Sequence, residues 1–358
     1  MLSAVEPRQA AVSAGLRYVT DQIPGIRRVR VGKRFRYVTP HGNTLKDRNE
    51  LQRISSLAIP PAWRDVWICP SPNGHLQATG RDAKGRKQHR YHSRWREVRD
   101  ESKYGRILEF AAALPVLRRR ARADVASAAL SRRKVIAALV QLLEKTLIRV
   151  GNEEYARTNQ SFGLTTMRNR HAQVSRAKIR FRFRGKSGRF HDIAFCDARL
   201  AAVVRRCQEL PGRELFQYLD DDGNVQDINS TDVNEYVRDV TGQDFTAKDF
   251  RTWVGTVLAA QALQQLKEFR SSAQAKRNVL SAVEAVAGML GNTRAVCRES
   301  YIHPAVIDSY MDRTLAQSLA ACAGERYCLG ASRLSRTETA VLALLRRRLR
   351  REPLRKSA

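Results

Sequence analysis

The stretch CRESYIHPAV, residues 297–306, sets the hydroxyl of Tyr301 between a polar run and a proline. A phenol in that setting is either core filler or a nucleophile, and the rest of the chain decides which. Cationic side chains stand at several candidate positions: Lys186 in RGKSG, Arg149 in LIRVGNEEY, and Lys248 with Arg251 in FTAKDFRTWVGT. A lysine held at a hairpin tip by two glycines can swing into a groove, where its ammonium contacts phosphates or donates a proton. Lys248 and Arg251, three apart, share a helical face beside Trp253, an arrangement suited to clamping phosphate. Arg149 is expected inside a helix, two residues before Gly151. A mid-helix glycine costs roughly 1 kcal/mol relative to alanine, so Gly151 marks either a large ligand or a helix–helix contact.

Other chemistries are not supported. The Gly-Lys-Ser of RGKSG resembles the end of a phosphate loop, but Arg180 stands where its first glycine is required, and a strand rather than a helix follows. No H-E-x-x-H, G-x-S-x-G elbow or carboxylate-rich metal box is present. The six cysteines show no C-x-x-C pair and no ligand spacing with histidine, so they read as free thiols in a reducing compartment. Chemistry built on this chain is therefore expected to use Arg, Lys and Tyr without a metal or a nucleotide cofactor.

The 358 residues carry 65 Lys and Arg against 35 Asp and Glu, a net charge of +30. That excess lies far beyond what solubility asks for and points to a polyanion, with nucleic acid the leading partner. In GRKQHRYH, Lys87, Gln88, His89 and Tyr91 lie on an expected strand whose basic and amide side chains suit major-groove contact. Arg168 and His171, in RNRH, are candidate phosphate contacts, whereas His303 before Pro304 reads as a turn residue. No apolar stretch of spanning length and no leader-like segment is evident, so a soluble cytoplasmic protein is expected.

These side chains need elements to hold them. RVRVGKRFRYVTPHG alternates Val29, Val31, Phe35 and Tyr37 with arginines, and the rest of the first hundred residues reads as short strands and turns. Helical spacing begins near 97–104, as in Val135, Ile136, Leu139, Leu142, Leu143 and Leu147. KIRFRFRGKSGRFHDIAF interrupts it as a hairpin with Lys186 at its tip. The expected fold is α+β: a small N-terminal antiparallel β-sheet domain over 1–100, a larger mainly helical domain over 101–331 with a lysine-bearing hairpin, and a basic C-terminal helix or tail over 332–358.

Together, IPPAWRDVWICPSPNGHLQATGRDAKGRKQHRYH, IRVGNEEYARTNQSFGLTTMRN, RFRGKSG, AKDFRTW and CRESYIHPAV closely resemble the type IB DNA topoisomerases of the compact, poxvirus-like bacterial group, from about Gly25 to Tyr310. The resemblance implies two domains closing as a clamp on duplex DNA. It assigns Tyr301 as the nucleophile forming a 3′-phosphotyrosyl link, Arg149 and Arg251 as holders of the scissile phosphate, Lys186 as the proton donor to the leaving 5′ oxygen, and Lys248 as a supporting lysine.

Two positions depart from the viral pattern. Asn292 stands nine residues before Tyr301, where a histidine is common. An amide still donates a hydrogen bond but does not titrate near neutral pH, so a role in stabilising charge is expected of it. His89 replaces a frequent tyrosine in the strand facing the major groove. The resemblance implies a monomer that relaxes positive and negative supercoils with neither ATP nor metal. The nearest rival, a tyrosine recombinase, usually shows His-x-x-Arg where this chain has Lys248-Asp249-Phe250-Arg251, and lacks the N-terminal module. A non-catalytic DNA-binding protein would not need the set Arg149, Lys186, Arg251 and Tyr301.

Overall fold

Arginine-rich alternation does form strands. After a short helix α1 (Pro7–Ser13), β1 (Ile26–Val31) and β2 (Arg34–Val38) pair antiparallel, a helix α2 (Arg48–Ser56) intervenes, and β3 (Arg64–Ile68), β4 (Leu76–Arg81) and β5 (Lys87–Tyr91) complete a five-stranded sheet in the order β2-β1-β3-β4-β5. This computed structural model describes residues 7–32, 34–83, 85–266, 269–322 and 334–351, and separates into two compact units, Met1–Gly105 and Arg106–Ala358. In the first, α2 lies against the sheet, and Ile54 packs with Ile26, Val66, Ile68 and Ala78. Only Ile26 and Arg27 of β1 pair with β3, so the far ends of β1 and β2 project as a ribbon on which Val29 and Val31 are exposed.

The first hundred residues are not strands and turns alone, because α1, α2 and the start of a long helix fall among them. The sign of α2 was a capping pattern: Asp47 Oδ1 accepts from the Asn49 N–H, and Glu50 follows three residues after Asp47. Arg53 then ties the helix down, pairing with Glu50 and donating to the Cys69 carbonyl at 2.7 Å.

The long helix α3 (Ser93–Val125) runs through the division between the units. In the second unit follow α4 (Arg132–Thr146), α5 (Glu153–Asn159), and a three-stranded sheet of β6 (Ala172–Ser175), β7 (Lys178–Arg184) and β8 (Phe190–Cys196). Then come α6 (Ala198–Gln208), the ribbon of β9 (Gln217–Leu219) and β10 (Val225–Asp227), and α7 (Ser230–Thr241). Helices α8 (Ala247–Gln265), α9 (Ser272–Leu290), α10 (Arg294–Tyr301), α11 (Pro304–Met311), α12 (Leu315–Cys322) and α13 (Arg336–Arg351) close the unit.

One large core joins these helices. Phe110 of α3 meets Phe245 and Phe250 edge-on, with ring centroids 5.3 and 5.0 Å apart. The amphipathic C-terminal helix belongs to this core: Val341, Leu342, Leu344 and Leu345 of α13 are buried in it. Its buried Glu338 accepts from Arg118 at 2.7 Å and from the Trp253 indole N–H at 3.1 Å, tying α13 to α3 and α8. Residues 332, 333 and 352–358 of the expected tail lie outside the described residues.

Candidate active site

Tyr301 ends α10, where the chain turns to extended conformation at Ile302. Helix α8 approaches it closely, because a β-carbon on Gly255 would stand 2.7 Å from the Tyr301 carbonyl oxygen. One turn of chain is held on the same helix: the Thr256 hydroxyl accepts from the His303 N–H at 3.1 Å. His303 caps α11, its Nδ1 accepting from the Ala305 N–H, so it is a turn residue.

Arg251, 4% exposed, comes from the first turns of α8, and its guanidinium carbon lies 5.2 Å from the centre of the Tyr301 ring. It donates to the carbonyls of Leu147, at the end of α4, and Leu290, at the end of α9, the latter at 2.7 Å. Two helix C-termini, whose last carbonyls lack intrahelical partners, thereby orient the guanidinium. Lys248, one turn earlier, is exposed rather than buried beside Trp253.

Arg149 is not in a helix. Leu147 adopts a left-handed conformation that ends α4, and Arg149 to Gly151 form a strap before α5. The Arg149 and Val150 carbonyls accept from the N–H groups of Leu164 and Thr165, at 2.9 and 2.6 Å. Gly151 has φ +123°, and a β-carbon there would lie 2.6 Å from the Thr165 hydroxyl, so the glycine marks a close chain crossing and not a helix packed on a ligand.

The strap delivers the Arg149 guanidinium to the corner between α9 and α10. Its Nη2 donates to Asn292 Oδ1 and, at 3.4 Å, to the Gly291 carbonyl. Asn292 is 7% exposed, and with its oxygen engaged its Nδ2 has no acceptor among the described residues; the Nε of Arg251 has none either. Neither arginine makes an ion pair with a carboxylate among the described residues. Burial first, and then the charge of Arg251, push Arg149 down to about 10. Burial likewise pushes Arg251 down, and Tyr301 partly offsets this. Two desolvated cations side by side, with donors unused, make a site short of an anion.

Lys186 lies at the tip of the β7–β8 hairpin and is exposed; the turn is closed by Gly188 N–H donating to the Gly185 carbonyl at 3.1 Å. Ile179, Phe181 and Phe183 anchor the hairpin in the core. Strand β6, absent from the expected hairpin, adds a third strand along β7. His191 of β8, paired across from Phe183, also enters the site region, its ring against Gly185 and Gly291. The sequence signal for it was the hairpin register itself.

Among the expected DNA contacts, β5 exposes Lys87, His89 and Tyr91 on one face, with the His89 and Tyr91 rings stacked at 5.8 Å. Gln88 points to the opposite face, where its amide donates to Asp82 at 3.1 Å, so it does not join that stripe. Lys87 pairs with Asp21 at 2.5 Å. His171 is a core residue: it is buried against the Phe162 ring, its Nδ1 accepts from the Arg168 N–H at 3.0 Å, and burial with Arg170 and Arg168 pushes its imidazole down to about 4. The expected phosphate contact fails there because the ring is enclosed. Arg168 lies over the same Phe162 ring, half-buried beside Glu214.

Among the described residues no group of three His, Cys, Asp or Glu could hold a metal ion, and no helix is long and apolar enough to cross a membrane.

Comparison with known proteins identifies the family. The family model described as eukaryotic DNA topoisomerase I, catalytic core, matches residues 92–321, and that described as bacterial DNA topoisomerase IB, N-terminal domain, matches residues 34–82. The chain is also 32% identical over 295 residues to the protein named DNA topoisomerase 1B of Acanthamoeba polyphaga mimivirus, covering 80% of this chain and 88% of that one. With a catalytic-core model, an N-terminal-domain model and a relative matched over most of both chains all of one kind, the chain belongs to the type IB DNA topoisomerases.

Proposed function

We propose that this topoisomerase relaxes positive and negative supercoils through a transient 3′-phosphotyrosyl bond made by Tyr301. The observation that carries the reading is the pair of buried donors, Asn292 Nδ2 and Arg251 Nε, which have no acceptors among the described residues and lie beside two cations and a phenol. A buried donor without a partner costs about 1–3 kcal/mol, and the non-bridging oxygens of a phosphodiester supply both the acceptors and the missing negative charge.

In the forward step the Tyr301 oxygen bonds to phosphorus and its proton passes to solvent. The P–O5′ bond breaks, its electron pair stays on O5′, and O5′ takes a proton from Lys186. Charge that develops on the phosphoryl oxygens is met by Arg149, Arg251 and Asn292, donors already fixed by the α4, α8 and α9 termini. One phosphodiester replaces another, so religation draws on no nucleotide, and the guanidiniums take the place of a metal's charge. Lys248 and the exposed Lys87, His89 and Tyr91 supply contacts along the duplex. Their phosphate contacts weaken with salt. We place the enzyme as a monomer in the cytoplasm, on the nucleoid.

Plasmid relaxation in chelator without ATP tests the reading. Wild type is expected to relax both signs of supercoil, and Tyr301→Phe to bind DNA without relaxing it. A wild type that binds but does not relax, or an active Tyr301→Phe, contradicts it.

A further inference from the structure

His191 belongs to none of the positions assigned above, yet it joins two of them. Its ring stacks on Phe183 with centroids 5.0 Å apart and planes 11° from parallel. A β-carbon on Gly185, the residue before Lys186, would meet its Cδ2 and Nε2 at 2.7 Å. A β-carbon on Gly291, the residue before Asn292, would meet its Cε1 at 2.6 Å. The imidazole thus fills the space between the base of the lysine turn and the corner that carries Asn292. Both neighbours are glycines, so the ring seats directly on backbone at each end.

We propose that His191 is a positioning residue that seats the Lys186 turn against the Gly291–Asn292 corner, so that the lysine meets the leaving oxygen of the phosphate held by Arg149 and Arg251. This rests on the phosphotyrosyl reading proposed above. Burial first, then Arg149, Arg251 and Arg189, push the imidazole below its ordinary range, so the seat is neutral at pH 7 and adds no further charge among the arginines. Phe183 is buried in the core, so the seat is fixed to the body of the domain and not to the exposed tip.

A role through Lys186 has a signature that a general folding defect lacks. With an ordinary substrate the departing O5′ needs the lysine's proton. With sulfur at the bridging 5′ position, the P–S bond breaks and its electron pair leaves on a thiolate that needs no proton. Single-turnover cleavage by His191→Ala is expected to fall about 100-fold on the oxygen substrate, the scale of a misplaced group near 1 Å, and to approach the wild-type rate on the sulfur substrate. Gly185→Ala, whose backbone dihedrals suit alanine, drives a methyl into the ring and is expected to show the same defect. The double variant should be no slower than His191→Ala alone, because the methyl then meets empty space.

Equal slowing on both substrates, additive losses in the double variant, or an unaffected His191→Ala overturns the proposal. Wild type that forms no covalent adduct with either substrate instead overturns the phosphotyrosyl reading, and this inference with it.

Discussion

Arg149 donates to the side-chain oxygen of Asn292, and that bond engages the amide oxygen and leaves the buried Nδ2 without an acceptor among the described residues. In the proposed mechanism the asparagine is an oriented donor, aimed by the arginine beside it.

Asn292→Ala should slow single-turnover cleavage by about 10²–10³-fold, the loss typical of one oxyanion donor, with DNA affinity little changed. Asn292→Asp, the same shape with a charge, should be worse, because its carboxylate would pair with Arg149 and repel the phosphate. Asn292→His should keep activity, since an imidazole N–H also donates. Cleavage rates and filter-binding affinities on one duplex check all three.

Gly255→Ala should lower cleavage about 100-fold with little effect on binding. Its methyl would stand 2.7 Å from the Tyr301 carbonyl oxygen and displace Tyr301 from α8. Rapid-quench cleavage beside a binding isotherm separates the two effects.

Glu338→Gln should destabilise the second unit by about 2 kcal/mol, because Arg118 loses its charged partner on α13 and keeps only Glu144 among the described residues. Burial alone would raise the Glu338 carboxyl, but Arg118 and the Trp253 N–H hold it below its ordinary range. A lowered carboxyl stabilises the fold above the ordinary glutamate range and loses that contribution as pH falls through the folded value. Thermal unfolding from neutral to acid pH should show wild type and variant converging as the carboxyl is protonated.

His171 produces a separate pH dependence. Its folded value of about 4 lies below the ordinary 6.5, so the unfolded chain binds the extra proton between those pH values. Stability should fall as pH drops from about 6.5 to about 4. His171→Gln should flatten that slope without altering relaxation at neutral pH.

Much of this was legible in the chain. Period-two alternation located β5 and the Lys186 hairpin, and three- and four-residue spacing located α4 and α8. The excess of positive charge pointed to a nucleic-acid partner. What escaped depends on close approach between segments distant in sequence. Arg149 reads as helical because LIRV continues the apolar run of α4, and only the left-handed Leu147 and the crossing at Thr165 end it. Gly255 looks like a weak point in α8 until Tyr301 is placed on it. His171 resembles Arg168 in its basic RNRH context, but Phe162 encloses its ring.

The most direct measurement is identification of the residue that becomes joined to DNA. A nicked or truncated duplex that loses its 5′ segment traps the adduct, and mass spectrometry of the protease-digested complex reads the modified peptide. A 3′-phosphate on Tyr301, absent in Tyr301→Phe, is the predicted result. An adduct on any other residue, or none while wild type relaxes supercoils, would contradict the account.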